Sequence, residues 1–348
     1  MRYRLFLIVS TSSALLACGG DTDSNPPILV EDAASHDGAV DSSTVDTGVD
    51  SAPASDASTS DADGGTDAVS DAPIEAGPRC DPTKAFGAPV NEGSTINAGG
   101  IEDGARLSPS GLELFFTRDE GNNGKRVYRS TRATLSSPWS APASQGTLSV
   151  TPPSVPASMS LTLDSTELFG YIAVYTGTTW RIYATSRSTI GGLWAIPGPV
   201  ANLAANGTDE QPWLNAAGDR LYFMSNRGSV TFHTWVATKT NGVFGPATLA
   251  DPFQVSEDRW PVLSDDELTM YYGAYDGTNG VRIYKKTRPA MNQDWKAGAP
   301  VAELAGGSGS SAISAPTWLS KDGCDIYFVS NRSGGQGQLD VWHATKPQ

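Results

Sequence analysis

Three carboxylates recur at one place in a repeating sequence: Glu102, Asp209 and Asp258 each stand five residues before a leucine (Leu107, Leu214, Leu263), and Ser314 holds the same place before Leu319. Carboxylates gathered at one site can do acid–base chemistry. Glycoside hydrolysis needs two in different environments, one protonated as acid and one ionised as base or nucleophile. Repeat-equivalent positions instead share one kind of environment. That fits a simpler task, a side-chain oxygen capping loop amides ahead of a strand. Capping is the favoured reading and catalysis the alternative. The histidines His36, His233 and His343 have no second His or Cys at ligand spacing, so no metal site is expected. G-x-S-x-G, H-E-x-x-H and phosphate-loop motifs are absent, and no cofactor is implied. DADGGTD, from Asp61 to Asp67, reads as part of an acidic low-complexity run rather than as a calcium loop.

The cysteines Cys18, Cys80 and Cys324 fall into two groups. The chain opens MRYRLFLIVSTSSALLACGG, with Arg2 and Arg4 ahead of an apolar run, Leu5 to Leu16, too short to span a bilayer as a mature helix. Leu15-Leu16-Ala17-Cys18 resembles a bacterial lipobox. The resemblance implies a lipoprotein signal peptide over residues 1–17 and a lipidated Cys18. It also implies a place in the bacterial cell envelope, anchored to the outer membrane on its periplasmic side or at the surface. Each buried acyl methylene adds about 0.8 kcal/mol, so several acyl chains on one residue anchor stably. Cys80 and Cys324 remain, and two cysteines in an exported chain suggest one disulfide.

Residues 18–79 read as the lipidated cysteine followed by a disordered acidic linker. Fourteen of the 38 acidic residues lie between 19 and 78, with no Lys, Arg or aromatic residue among them. Such a segment cannot bury enough apolar surface to offset its ordering entropy. The net charge of −14 belongs to this tether; residues 79–348 come to −2. A basic footprint is missing, so no nucleic-acid partner is expected.

Beyond the linker the chain repeats itself five times, about every 52 residues. An aromatic residue precedes Ala/Pro in each copy: Phe86, Trp139, Trp194, Phe244 and Trp295. Next, Leu107, Leu161, Leu214, Leu263 and Leu319 each stand eight residues before an aromatic: Phe115, Phe169, Tyr222, Tyr271 and Tyr327. Last, an aromatic stands four residues before a base: Tyr128/Arg132, Tyr183/Arg187, Trp235/Lys239, Tyr284/Arg288 and Trp342/Lys346. The runs are short, aromatic and β-branched, and are bounded by Gly, Ser, Asp and Asn, as strands are. In ELFF, RLYF and DIYF neighbouring residues are apolar, so both strand faces are buried. Four strands per repeat, stacked in a closed ring, give an all-β fold: a five-bladed β-propeller over residues 80–348.

LSKDGCDIYFVSNRSGGQGQLDVWHATK, from Leu319 to Lys346, resembles the TolB-type propeller repeat. All five copies share the resemblance; copies 1, 3 and 5 fit well, while copies 2 and 4 lose the turn glycine and the S-x-R. It implies a binding scaffold rather than an enzyme, with the partner left open.

The last copy ends after its third strand, at Gln348, and the first aromatic motif precedes any blade. Phe86 to Val90 is therefore expected to supply the outer strand of the fifth blade, closing the ring from the N-terminal side and leaving no unpaired edge. The outer strand would begin at the end of the blade where Cys324 turns. Six residues reach up to about 20 Å, so a Cys80–Cys324 disulfide can staple the ring.

The leading expectation is a lipid-anchored envelope scaffold that binds a protein, peptide or glycan. A propeller-type surface glycoside hydrolase or lyase and a passive spacer are the alternatives. The long outer-to-inner connections are expected on one face, with the tether at the other, and loops on a rigid scaffold are where recognition resides. Asp209, Glu210, Trp213, Glu257, Asp258, Arg259, Trp260 and Trp318 are the candidate ligand-binding residues there. The competing reading makes these tryptophans a core plug of the channel.

Overall fold

The computed structural model describes residues 79–121, 124–148, 158–253 and 256–348. The expected signal peptide, Cys18, His36 and the expected linker up to residue 78 lie outside the described residues. The described chain is almost entirely β and forms five antiparallel sheets arranged as a five-bladed propeller.

Blade one runs from its inner strand Glu102–Leu107 through Glu113–Asp119 and Lys125–Thr131 to the outer strand Ala143–Ser144. Blade two has Ser158–Leu163, Phe169–Tyr175, Trp180–Ser186 and Gly198–Pro199; blade three Asp209–Leu214, Arg220–Ser225, His233–Thr240 and Thr248–Leu249. Blade four has Arg259–Leu263, Thr269–Tyr275, Val281–Thr287 and Ala299–Pro300. Blade five has Ser314–Leu319, Asp325–Ser330 and Asp340–Thr345, and its outer strand is Val90–Asn91. The N-terminal segment does close the ring: Val90 pairs with His343 and Asn91 with Trp342. The regular ladder lies at the far end of the expected strand, while Gly87 N–H donates to the Thr345 carbonyl at 2.8 Å. Outer strands are short and carry prolines, which lack an N–H and are tolerated at an edge.

Inner and second strands join at what we call the turn end. The outer-to-inner connections lie at the opposite, loop end together with the second-to-third turns. There Ile101 bridges Leu339 and Val281 bridges Ile313.

The repeat landmarks are blade-to-blade joints. The base ending each third strand lies over the aromatic of the next connection: Arg132 on Trp139 at 4.3 Å, Arg187 on Trp194 at 4.5 Å, Lys239 on Phe244 at 4.9 Å, Arg288 on Trp295 at 4.4 Å. Lys346 on Phe86 at 4.8 Å repeats the contact across the closure. Each aromatic also reaches the preceding blade. Trp194 packs on Phe115, Phe244 on Tyr171 and Phe86 on Tyr271, with centroids 5.5 to 6.1 Å apart. Trp139 Nε1 donates to Glu92 and Trp295 Nε1 to the Ala250 carbonyl, both at 3.0 Å.

Blade two corrects the sequence alignment. Leu163, not Leu161, occupies the repeat leucine position, since it pairs with Gly170 as Leu107 pairs with Leu114. Tyr171 then takes the place expected for Phe169, which is 37% exposed. Leu163 to Tyr171 is also eight residues, and a slip of two keeps every side chain on its own face. The turn decides. It must end on a left-handed residue, and Glu167 (φ 60°) stands where Gly111 (φ 72°) does.

Blade four repeats that device with Glu267 (φ 57°). Both glutamates are buried and reach back one blade. Glu167 accepts from Ser110 N–H. Glu267 accepts from Asn215 Nδ2 at 2.9 Å, Arg220 Nη1 at 2.7 Å and the Tyr222 hydroxyl at 2.6 Å. Left-handed backbone costs a non-glycine residue about 1–2 kcal/mol, while each charged hydrogen bond contributes about 1.5–3 kcal/mol. Glu267→Gly is therefore expected to lower the unfolding free energy by about 2 kcal/mol in urea, despite relieving the turn. A gain in stability would show that the turn strain dominates.

Cys80 and Cys324 form the expected disulfide, with Cα atoms 5.7 Å apart and a sequence separation of 244. Asp81 N–H donates to the Pro347 carbonyl at 2.9 Å, and Arg79 pairs with Asp322 at 3.0 Å and Asp325 at 2.5 Å. Residues 79–81 thus lie at the turn end.

Candidate functional site

At the turn end the five inner strands surround a cavity of about 540 Å³. Its wall includes the repeat leucines Leu107, Leu163, Leu214, Leu263 and Leu319. The residue before each leucine sets its chemistry: Arg106, Thr162, Trp213 and Trp318 all line it. Edge-on aromatic contacts hold the two indoles, Trp213 on Tyr222 at 5.9 Å and Trp318 on Tyr327 at 5.8 Å. Arg79, Asp322 and Asp325 are at the rim.

Arg106 is 2% exposed, and its Nε and Nη1 have no hydrogen-bond partner among the described residues. Burial pushes its guanidinium down to about 9, against the pull of Asp103. Three other buried bases meet carboxylates: Arg187 meets Glu113, Arg227 meets Asp209 and Lys286 meets Asp251 and Asp258, while Lys346 donates to the Pro82 carbonyl at 2.6 Å.

At the loop end every inner strand carries a register shift in its ladder with the second strand. Gly104, Ser160, Gln211 and Trp260 take left-handed backbone there (φ 53° to 60°). Glycine is required at 104, since a Cβ would come within 2.5 Å of Ser160 Oγ. That hydroxyl donates to Gln211 Oε1 at 2.5 Å, so the shifted residues knit neighbouring inner strands together.

The recurring acids lie just before this ring and are buried. Arg118 pairs with Glu102 at 2.9 Å, Arg227 with Asp209 at 2.7 Å and Lys286 with Asp258 at 3.0 Å. Arg332 reaches Ser314 Oγ at 3.4 Å in blade five. Glu102 also accepts from Ala98 N–H at 3.2 Å, and Asp258 from Thr234 N–H at 2.9 Å. These side chains tie loops and strands to a cation, and each carries the same job in its own blade. Asp209 and Asp258 are thus interior groups rather than surface ones. His233 Nδ1 lies 3.3 Å from Asp258, and that hydrogen bond raises the imidazole above its usual range.

One position further on, Asp103, Glu210 and Arg259 are half-buried. Burial pushes the Glu210 carboxyl up to about 7, with Lys125 opposing. Arg259 pairs with Glu257 at 2.6 Å and lies over Phe232 at 4.6 Å and Trp260 at 5.9 Å. The expected candidates therefore divide. Asp209, Glu210, Glu257, Asp258, Arg259 and Trp260 cluster towards the loop end, whereas Trp213 and Trp318 face the cavity at the turn end. Arg106 escaped the sequence reading; its only signal is a charge at a row otherwise held by Thr162, Trp213, Val262 and Trp318.

Glu210 gives a pH dependence with a definite sign. Its folded value near 7 lies above the ordinary 4.5, so between those limits the folded chain keeps a proton that the unfolded chain has released. Stability falls as pH rises through that window, by up to about 1.4 kcal/mol per unit. Urea titrations at pH 5 and pH 7.5 should show this fall, and Glu210→Gln should reduce it. Identical slopes in both proteins would remove Glu210 as its source.

Among the described residues no group of three or more His, Cys, Asp or Glu could hold a metal ion. No helix among them is long and apolar enough to cross a membrane. No family model matches the chain, and no curated protein sequence does. Solved structures do. TolB from Acinetobacter baumannii is 12% identical with a TM-score of 0.47, covering 71% of this chain and 55% of that one. A thermostable family-43 glycoside hydrolase is 12% identical with a TM-score of 0.47, covering 70% and 89%. The GH62 α-L-arabinofuranosidase catalytic domain of Coprinopsis cinerea is 11% identical with a TM-score of 0.45, covering 75% and 96%. The chain thus spans about half of the Acinetobacter protein, and these likenesses are of fold, not of function.

Proposed function

We propose that this chain is a lipid-anchored cell-envelope propeller that binds a protein, peptide or glycan, and that the turn-end cavity is its site. The observation that carries this is the cavity itself, which pairs two held indoles with a buried, unpartnered guanidinium. Concave sites that join aromatic walls to a few polar groups are where ligands bind. The cavity opens beside Arg79 and the Cys324 turn rather than among the long loops, so the site is expected at the end opposite to the one those loops suggest.

Capture from an envelope extract tests this when wild type is compared with variants that melt normally. Trp318→Ala is expected to lose the captured component, while Arg259→Ala and Trp260→Ala keep it. Loss only in the Arg259 and Trp260 variants would move the site to the loop end. No capture by wild type would favour a passive spacer.

The second reading, a glycoside hydrolase or lyase, is favoured by Glu210 alone: burial holds its carboxyl at about 7, the range in which a general acid works at neutral pH. Turnover of a polysaccharide panel that Glu210→Gln abolishes would support it.

A further inference from the structure

We propose that the turn-end cavity takes a carboxylate carried on an apolar or aromatic body, with the Arg106 guanidinium as its counter-ion. This rests on the cavity being a binding site. A buried cation is ordinarily retained where an anion pairs with it, and the propeller follows that rule at Arg187, Arg227 and Lys286. Arg106 departs from it. It is fully buried, it lines the cavity, two of its nitrogens lack partners, and Asp103 acts on it only at long range.

The shape of the missing partner follows from the surroundings. A guanidinium offers parallel donors that match a carboxylate's two oxygens. A phosphate dianion would call for more free positive charge than the lining offers: beside Thr162, Trp213, Trp318 and the leucines it holds Arg132, which lies over Trp139 and bonds the Gly111 carbonyl, His343, 2.6 Å from Glu92, and an exposed Lys321. At the rim Arg79 is already paired with Asp322 and Asp325. One negative charge on an apolar body therefore fits, and about 540 Å³ accommodates a group the size of an acylated amino acid.

The matched probes are N-acetyl-L-phenylalanine and its amide, titrated calorimetrically into the full chain alongside thermal melts. The acid is expected to bind at least tenfold more tightly than the amide and to raise the wild-type Tm. Arg106→Met is expected to bind both alike, with a Tm no lower than wild type, since it removes a partnerless buried cation. Arg106→Lys, which keeps charge without the fork, should retain only part of the preference.

Equal binding of acid and amide by wild type would overturn the carboxylate assignment while leaving the cavity as a site. An Arg106→Met chain that keeps the preference, or that fails to fold, would make Arg106 structural and overturn it as well. Binding of neither probe would also overturn it, and capture from envelope extract would then judge the binding reading separately. A full-length chain whose acidic residues in 19–78 are changed to amides identifies the source. Tighter binding of the free acid than in wild type assigns the carboxylate to the chain's own tether, and unchanged binding assigns it to an outside ligand.

Discussion

Replacing Cys80 and Cys324 together by serine lowers the unfolding free energy by about 5 kcal/mol. The disulfide closes a loop of 244 residues, and in the chain-entropy treatment the constraint on the unfolded chain grows with the logarithm of that length. The fold has a second reason to need it. The outer strand of blade five pairs over only two residues, Val90 and Asn91, so beside this short ladder the closure rests on single contacts such as Gly87–Thr345, Asp81–Pro347 and Lys346–Phe86, and on the staple. Urea titration of oxidised wild type against the double serine variant measures the loss. Hydrogen exchange should rise first at residues 340–345, the strand that Val90 and Asn91 cover. Matching midpoints would mean that the short ladder and its packing suffice to close the ring.

Asp258→Ala lowers stability by about 3 kcal/mol, the low end of the cost of breaking a buried ion pair, because Asp251 still meets Lys286. Lys286 is fully buried and sits 2.9 Å from Asp251 and 3.0 Å from Asp258. Removing Asp258 also leaves Thr234 N–H without its acceptor. The triple variant Asp251→Asn, Asp258→Asn, Lys286→Met should lie closer to wild type than the sum of its singles, because no charge is left alone. Additive losses would show that the three side chains do not act as a unit.

The repeat landmarks were legible because they are repeated. A base four residues after an aromatic, with another aromatic downstream, is one observation at Arg132 and a rule by Lys346. The structure shows the rule to be a cation on a ring at every joint. Turn glycines misled in the opposite direction. Their loss in copies 2 and 4 reads as decay, yet Glu167 and Glu267 hold the same left-handed backbone and compensate with bonds to the neighbouring blade. No pattern within a copy encodes those bonds, since each needs a partner from another blade. Blade two's register was hidden for a different reason: a two-residue slip leaves hydrophobic alternation and spacing unchanged.

The sequence alone determined the all-β class, the number of blades, the closure by the N-terminal segment and the partners of the disulfide. All four follow from periodicity, spacing and chain connectivity, which are one-dimensional quantities. Tertiary structure alone decided which charged residues have partners. Asp209 and Asp258 were placed among surface candidates, but their cations arrive from other strands and they end as interior ion pairs. Trp213 and Trp318 were grouped with Trp260, but a residue's position along its inner strand sends it to one end of the channel or the other. Arg106 is marked in the sequence only as a charge at a row otherwise held by uncharged residues, which does not tell whether it is paired; what sets it apart is that folding buries it against a cavity without bringing a carboxylate to meet it.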